Sequence, residues 1–286
     1  MAKYSALNQE GILADQRMMT PVKDSGWLAG FGNILGKEMA DWFGTRRWWV
    51  QSLIWILVFN VALGLVLFTP PPNDMAAMQA SSNQGGMAGA VNGLSVLFNT
   101  SALLGAIGVI ILTQDEIIQE KQLGTAAWIL TKPVSRASFI LSKLVSNILG
   151  ALVFIILIPA AIAYVEIQAA TGLAMPLLPY IQALAVILLT LTFYIALTLM
   201  LGTFFDQRGP VLAAAFGLMF GGLILAQLLP DLKLGYILPV SMDKIALSLV
   251  QGQALSPAML YALITAALFS VLFTVAALWR FGDEEF

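Results

Sequence analysis

The chain has 286 residues, of which 59% are hydrophobic and only 10% charged, and its mean hydropathy is +0.86. So little charge could not cover the surface of a soluble domain of this length, so composition excludes a soluble globule and places the chain in a bilayer. A net charge of −2 gives no electrostatic footprint for nucleic acid, and the absence of Cys and His removes disulfides and the usual ligands of zinc, haem and copper(II).

Residues 1–26 are polar and mixed in charge, with no apolar core before Trp27. A cleaved leader is not expected there, and the first span itself directs insertion. Residues 27–47 follow as an amphipathic segment, with Trp27, Phe31, Ile34, Leu35, Met39, Trp42 and Phe43 recurring at close to helical spacing. The spacing predicts a helix lying in the membrane interface, with Trp27 and Trp42 at headgroup depth and Arg46, Arg47, Trp48 and Trp49 marking the start of the first crossing.

Six windows from residue 48 onward are long and apolar enough to cross about 30 Å of hydrocarbon: 48–68, 94–112, 144–165, 180–201, 211–229 and 258–279. None contains Asp, Glu, Lys or Arg, and Pro159 predicts a kink in the third. Backbone satisfaction in lipid requires these to be helices. The fold class expected is therefore an all-α polytopic membrane protein with residues 48–286 as a six-span domain.

Twelve of the Lys and Arg residues fall in the N-terminal segment, loops 113–143 and 202–210 and the C-terminus; only Lys233 and Lys244 fall in the alternate loops. The asymmetry predicts an inner (cytoplasmic) membrane protein with both termini and loop 113–143 in the cytosol. On the outer side, loop 69–93 is rich in Pro, Ser, Asn, Gly and Met and builds no core. Segment 230–257 carries a short apolar stretch, 244–250, that is too short to span; it reads as a packed outer loop, or as one or two short helices dipping into the outer leaflet. Gly217 and Gly221 form a small-xxx-small pair in the fifth span that permits close helix approach. Glu166 reads as a solvated charge at the outer end of the third span.

No G-x-x-x-x-G-K-[ST] loop is present, and without His or Cys neither familiar nucleophile–base set can be assembled. The chain is therefore not expected to be an enzyme, and no cofactor or metal is expected in it. Charge-free spans also weigh against an ion-coupled carrier, which ordinarily needs ionisable groups at membrane depth.

Loop 113–143 is the polar segment in the middle of the chain that carries both signs of charge in quantity. Residues 115–123 extend the second span, Gly124 breaks that helix, and Thr125 caps a short one over Ala126–Leu130. Pro133 ends the short helix, and Ser135 caps the next, which carries Lys143 into the third span. Trp128 and its apolar neighbours are out of place in such a loop unless a partner covers them.

The run Glu120, Gly124, Thr125, Leu130, Pro133, Val134, Ser135 and Arg136, read as E-x-x-x-G-T-x-x-x-x-L-x-x-P-V-S-R, resembles the cytosolic loop of ABC-2-type (type V) ABC transporter permeases. Lys37, Glu38, Arg46 and Arg47 in the interfacial segment, and the six spans, fit the same pattern. The resemblance implies that the loop forms a coupling helix docking on a separate ABC ATPase subunit, which holds ATP and Mg, with Glu120, Gly124, Thr125, Trp128, Pro133 and Arg136 at the contact. It implies a second permease chain, identical or not, and export of a cargo the family does not name. A non-transporting scaffold or mechanotransmitter worked through the same loop is the alternative from another class.

Overall fold

The structure is a computed structural model that describes residues 26–69, 85–131, 134–229 and 237–284. Those residues are helical throughout their regular parts, with no strand among them. In chain order the helices are α1 (Phe31–Phe43), α2 (Arg47–Phe68), α3 (Gly85–Thr113), α4 (Glu116–Gln122), α5 (Thr125–Leu130), α6 (Arg136–Gly150), α7 (Ile158–Thr171), α8 (Leu177–Phe204), α9 (Arg208–Leu228), α10 (Met242–Val250) and α11 (Pro257–Gly282). Six stretches are long and apolar enough to cross a membrane: Arg47–Phe68, Gly86–Gln122, Arg136–Thr171, Leu177–Phe204, Arg208–Leu228 and Pro257–Gly282. The chain is a multi-pass membrane protein, and each helix outruns its apolar window because polar and small residues extend it past the hydrocarbon. Residues 85–93, read from sequence as loop, belong to α3 for that reason.

The fourth span is the axis of the bundle. Its apolar window is 61% buried, against 22–28% for the first, fifth and sixth spans, which therefore turn most of their side chains to lipid. Leu57, Val61 and Leu65 on α2 and Ile264, Leu268 and Val275 on α11 are among the outward-facing apolar residues. The fully buried Leu191, Phe193 and Ile195 of α8 meet the inner faces of α3, α10 and α11.

The third span is interrupted where Pro159 predicts it. Proline lacks an N–H and its ring clashes with the carbonyl four residues earlier, so a regular α-turn cannot be closed there. The disruption takes the form of a π-helical turn over Ala151–Leu157, with Pro159 in the first turn of α7. Glu166 lies inside α7 with one carboxylate oxygen shielded and without a hydrogen-bond partner. The expected helix-end charge is thus shielded at one oxygen, while the residue as a whole stays half-exposed.

Of the alternatives open for the segment between the fifth and sixth spans, a short helix is the one that forms: α10, preceded by a 3-10 turn at Pro239–Ser241. Its burial is the surprise. Met242, Ile245 and Ala246 are at most 1% exposed, and α10 packs against α8 and α3. Leu238 approaches α9 so closely that a Cβ at Gly222 would lie 2.6 Å from its methyl carbon. Non-spanning backbone is tolerated at membrane depth only where protein covers it, and here three spans do so.

Candidate functional site

At one end of the bundle, the segments between spans converge on loop 113–135. Gly124 takes the left-handed conformation (φ 68°) and so separates α4 from α5, a geometry that favours glycine. Ser135 caps α6, its hydroxyl accepting the Ser138 N–H at 3.0 Å. Thr125 is not the cap of α5. The helix starts at Thr125 itself, and its hydroxyl donates back to the Glu120 carbonyl at 3.2 Å, tying α5 to α4.

The interfacial helix α1 is fastened to this loop on three levels. Its buried residues are Ile34, Glu38 and Trp42, one stripe at a spacing of four. At the base, Ser135 donates its hydroxyl to the Trp27 carbonyl at 2.5 Å and its N–H to the Ala29 carbonyl at 3.0 Å. In the middle, Lys143 of α6 places its ammonium 3.1 Å from Glu38 and 3.0 Å from Glu120, with its side chain 3% exposed. Lys37 adds a second cation 3.2 Å from Glu120. At the top, the Trp42 ring stacks on Phe154 of the π-turn at 5.8 Å, in space that Gly150 leaves open; any Cβ there would collide with the indole. Arg47 lies over the Trp42 ring, 4.2 Å from its centre, and 3.8 Å from Glu116. Asn147 donates to the same Glu116 at 2.6 Å.

A second set of contacts ties the loop to the rest of that end. Lys121 of α4 sits 3.0 Å from Asp206, between the fourth and fifth spans, and 2.9 Å from Glu284, beyond the sixth. Gln122 donates to the Asp206 carbonyl at 2.8 Å. Arg136 donates to the carbonyls of Phe281, Gly282 and Glu284 at 3.1, 2.5 and 2.7 Å, capping the last turn of α11 with a cation. The rings of Phe139 and Phe281 stack beneath it at 5.0 Å.

The residues expected at a partner contact thus divide. Gly124, Thr125 and Trp128 form an outward-facing edge with Leu123: Trp128 is 61% and Leu123 74% exposed. Glu120 and Arg136 face inward: Lys143 and Lys37 hold the one, and the carbonyls at the end of α11 accept from the other. Their burial explains it, since a shielded charge needs a close counter-charge or carbonyl. Pro133 lies outside the described residues.

The interface residues divide likewise. Trp27, Trp48 and Trp49 are about half exposed or more, and Arg46 is exposed. Trp42 is only 2% exposed, which corrects its expected place among headgroups. An amphipathic pattern identifies the apolar face of a helix; the phase that covers it, lipid or protein, is decided by what lies above. Sequence reasoning missed Glu38, Lys143 and Asn147 as members of one cluster, although a Lys on the stripe continuous with a span was a signal that it must find carboxylates.

The described residues hold no group of three or more acidic, His or Cys side chains able to bind a metal. No curated protein matches the chain. A family model described as "Protein of unknown function (DUF2705)" matches residues 52–283, most of the chain and all six spans but for the first residues of α2. The chain belongs to the DUF2705 family.

Proposed function

We propose that the chain is the permease subunit of an ATP-driven transporter, with α5 as the coupling helix on which a separate ABC ATPase docks. Both termini and loop 113–135 then face the cytosol, as the distribution of Lys and Arg favours, and the second permease chain, ATP and Mg belong to the assembled complex. The observation that carries the reading is the contrast within one loop. Leu123 and Trp128 are held out to solvent, while everything behind them is fastened by ion pairs to α1, α6 and α11. A helix so braced transmits displacement to the interfacial helix and the third span instead of bending. An exposed apolar edge on a rigid base also suits a partner groove.

The reading is tested by ATP turnover of the complex purified with its ATPase. Gly124→Pro forces φ to about −65° at a residue that needs +68°, and Trp128→Ala removes the largest exposed ring of α5. Each is expected to lower cargo-coupled ATP turnover at least tenfold while the chain alone keeps its unfolding temperature within a few degrees for Trp128→Ala. Unchanged turnover in both variants would reject α5 as the coupling element.

A further inference from the structure

A cavity of about 80 Å³ lies between α3, α8, α9 and the re-entrant segment that ends in α10. Asn99 and Thr190 on its wall stand close to the midpoints of α3 and α8, and Met219 close to that of α9. Asn99 is therefore about 21 Å of helix from either end of α3. The cavity therefore opens part-way along these spans, on the side from which α10 enters.

Asp243, in the first turn of α10, lines it. The spans themselves contain no carboxylate in their apolar windows, but the fold brings one from a loop into a cavity shared with Thr190 of α8 and Met219 of α9. Asn99 holds one of its oxygens, donating to Oδ2 at 3.3 Å, and no Lys or Arg pairs with Asp243 among the described residues. Tyr194, 4% exposed, also lines the cavity, and its hydroxyl has no hydrogen-bond partner among the described residues. A buried phenol ordinarily finds one. Met219 and Leu223 close the remaining wall with apolar surface. A half-buried carboxylate with no cationic partner and a phenol hydroxyl with no protein partner thus face one mostly apolar cavity, two polar groups left for a ligand to use.

We infer that the Asp243–Asn99–Tyr194 cavity binds the ammonium group of an alkylamine. The carboxylate supplies the counter-charge, the phenol accepts or donates a further hydrogen bond, and the apolar wall takes the adjoining methylenes. The volume is about half that of an engineered cavity that holds benzene, so it takes the ammonium and the first few carbons. The rest of the ligand leaves by the mouth, where Asn99 is exposed. Binding rests on the cavity alone; its use as a cargo site rests on the permease reading.

The experiment uses the full chain in phosphatidylcholine nanodiscs with no ATPase, so that failure of coupling and failure of binding are separable. Hexylammonium chloride, hexanol and sodium chloride are titrated, with saturation-transfer NMR and the unfolding temperature as readouts. Hexylammonium is expected to bind saturably, hexanol at least tenfold more weakly. Asp243→Asn is expected to weaken hexylammonium at least tenfold and Tyr194→Phe severalfold, the latter preserving volume should the former fail to fold. Equal binding of hexanol, or unchanged binding in folded variants, overturns the proposal. So does displacement of hexylammonium by millimolar sodium, which would assign the site to an inorganic cation. Repetition with phosphatidylethanolamine in the nanodiscs identifies the source: competition assigns the ammonium to a lipid headgroup, and its absence assigns it to a free amine, either outcome upholding the recognition chemistry.

Discussion

Lys143→Met is expected to destabilise the chain more than any other single change at the charged end, by about 3–5 kcal/mol, the usual effect of removing one partner from a buried ion pair. Methionine fills the volume of the lysine stem but leaves Glu38 and Glu120 facing each other without their shared cation. Both carboxylates are shielded, at 9% and 15% exposure, so water screens little of the repulsion. Lys37 remains, 3.6 Å from Glu38 and 3.2 Å from Glu120, but its side chain is half exposed and holds them weakly. The measurement is the unfolding temperature of the purified chain in detergent, together with the yield of monodisperse protein. The triple change Lys143→Met, Glu38→Gln, Glu120→Gln recovers most of the loss, because neutral amides tolerate the same burial far better than unpaired charges. Recovery distinguishes electrostatic imbalance from lost packing at position 143.

Gly150→Val is expected to loosen the upper end of the interfacial helix from the third span. The new side chain claims the space of the Trp42 indole, which is stacked on Phe154 and backed by Arg47. Overpacking of this kind costs about 1–3 kcal/mol locally, and it falls on the upper end of α1, where Phe43 packs on the same Phe154 ring at 4.9 Å. Because the chain has no Cys, spin labels at Asp41→Cys and Leu157→Cys, both exposed positions, report the separation directly. A narrow distance distribution in the parent is expected to broaden and lengthen in the valine variant. Adding Trp42→Leu restores the narrow distribution, since the pair shares one volume and its effects are not additive. An unchanged distribution in Gly150→Val shows that Trp42 is not the fastening.

The features read correctly from sequence were those fixed by local chemistry. Long uncharged apolar windows specify spanning helices whatever surrounds them. Gly124 and Ser135 punctuate loop 113–135 because a left-handed residue and a hydroxyl cap act within a few residues. Pro159 marked the break in the third span for the same reason, although its form as a wide turn was not specified. What escaped was tertiary. Arg136 finds its carbonyls beyond residue 280 and Lys143 finds Glu38 on a helix more than a hundred residues earlier, contacts that no spacing encodes. Thr125 was read as a cap because its residue type favours that role, yet the chain turns one residue sooner. Asp243 was the largest omission. The short apolar run around it is compatible with a surface helix, and only its packing against α3 and α8 brings Asp243 into the cavity.

The account depends on α5 being a cytosolic edge that an ATPase covers. With a single thiol introduced by Trp128→Cys, a membrane-impermeant maleimide is applied to right-side-out and inverted vesicles, with and without the ATPase. The account predicts labelling in inverted vesicles alone, reduced at least tenfold when the ATPase is bound. Labelling from the outer face, or equal labelling in inverted vesicles with and without the ATPase, would contradict it.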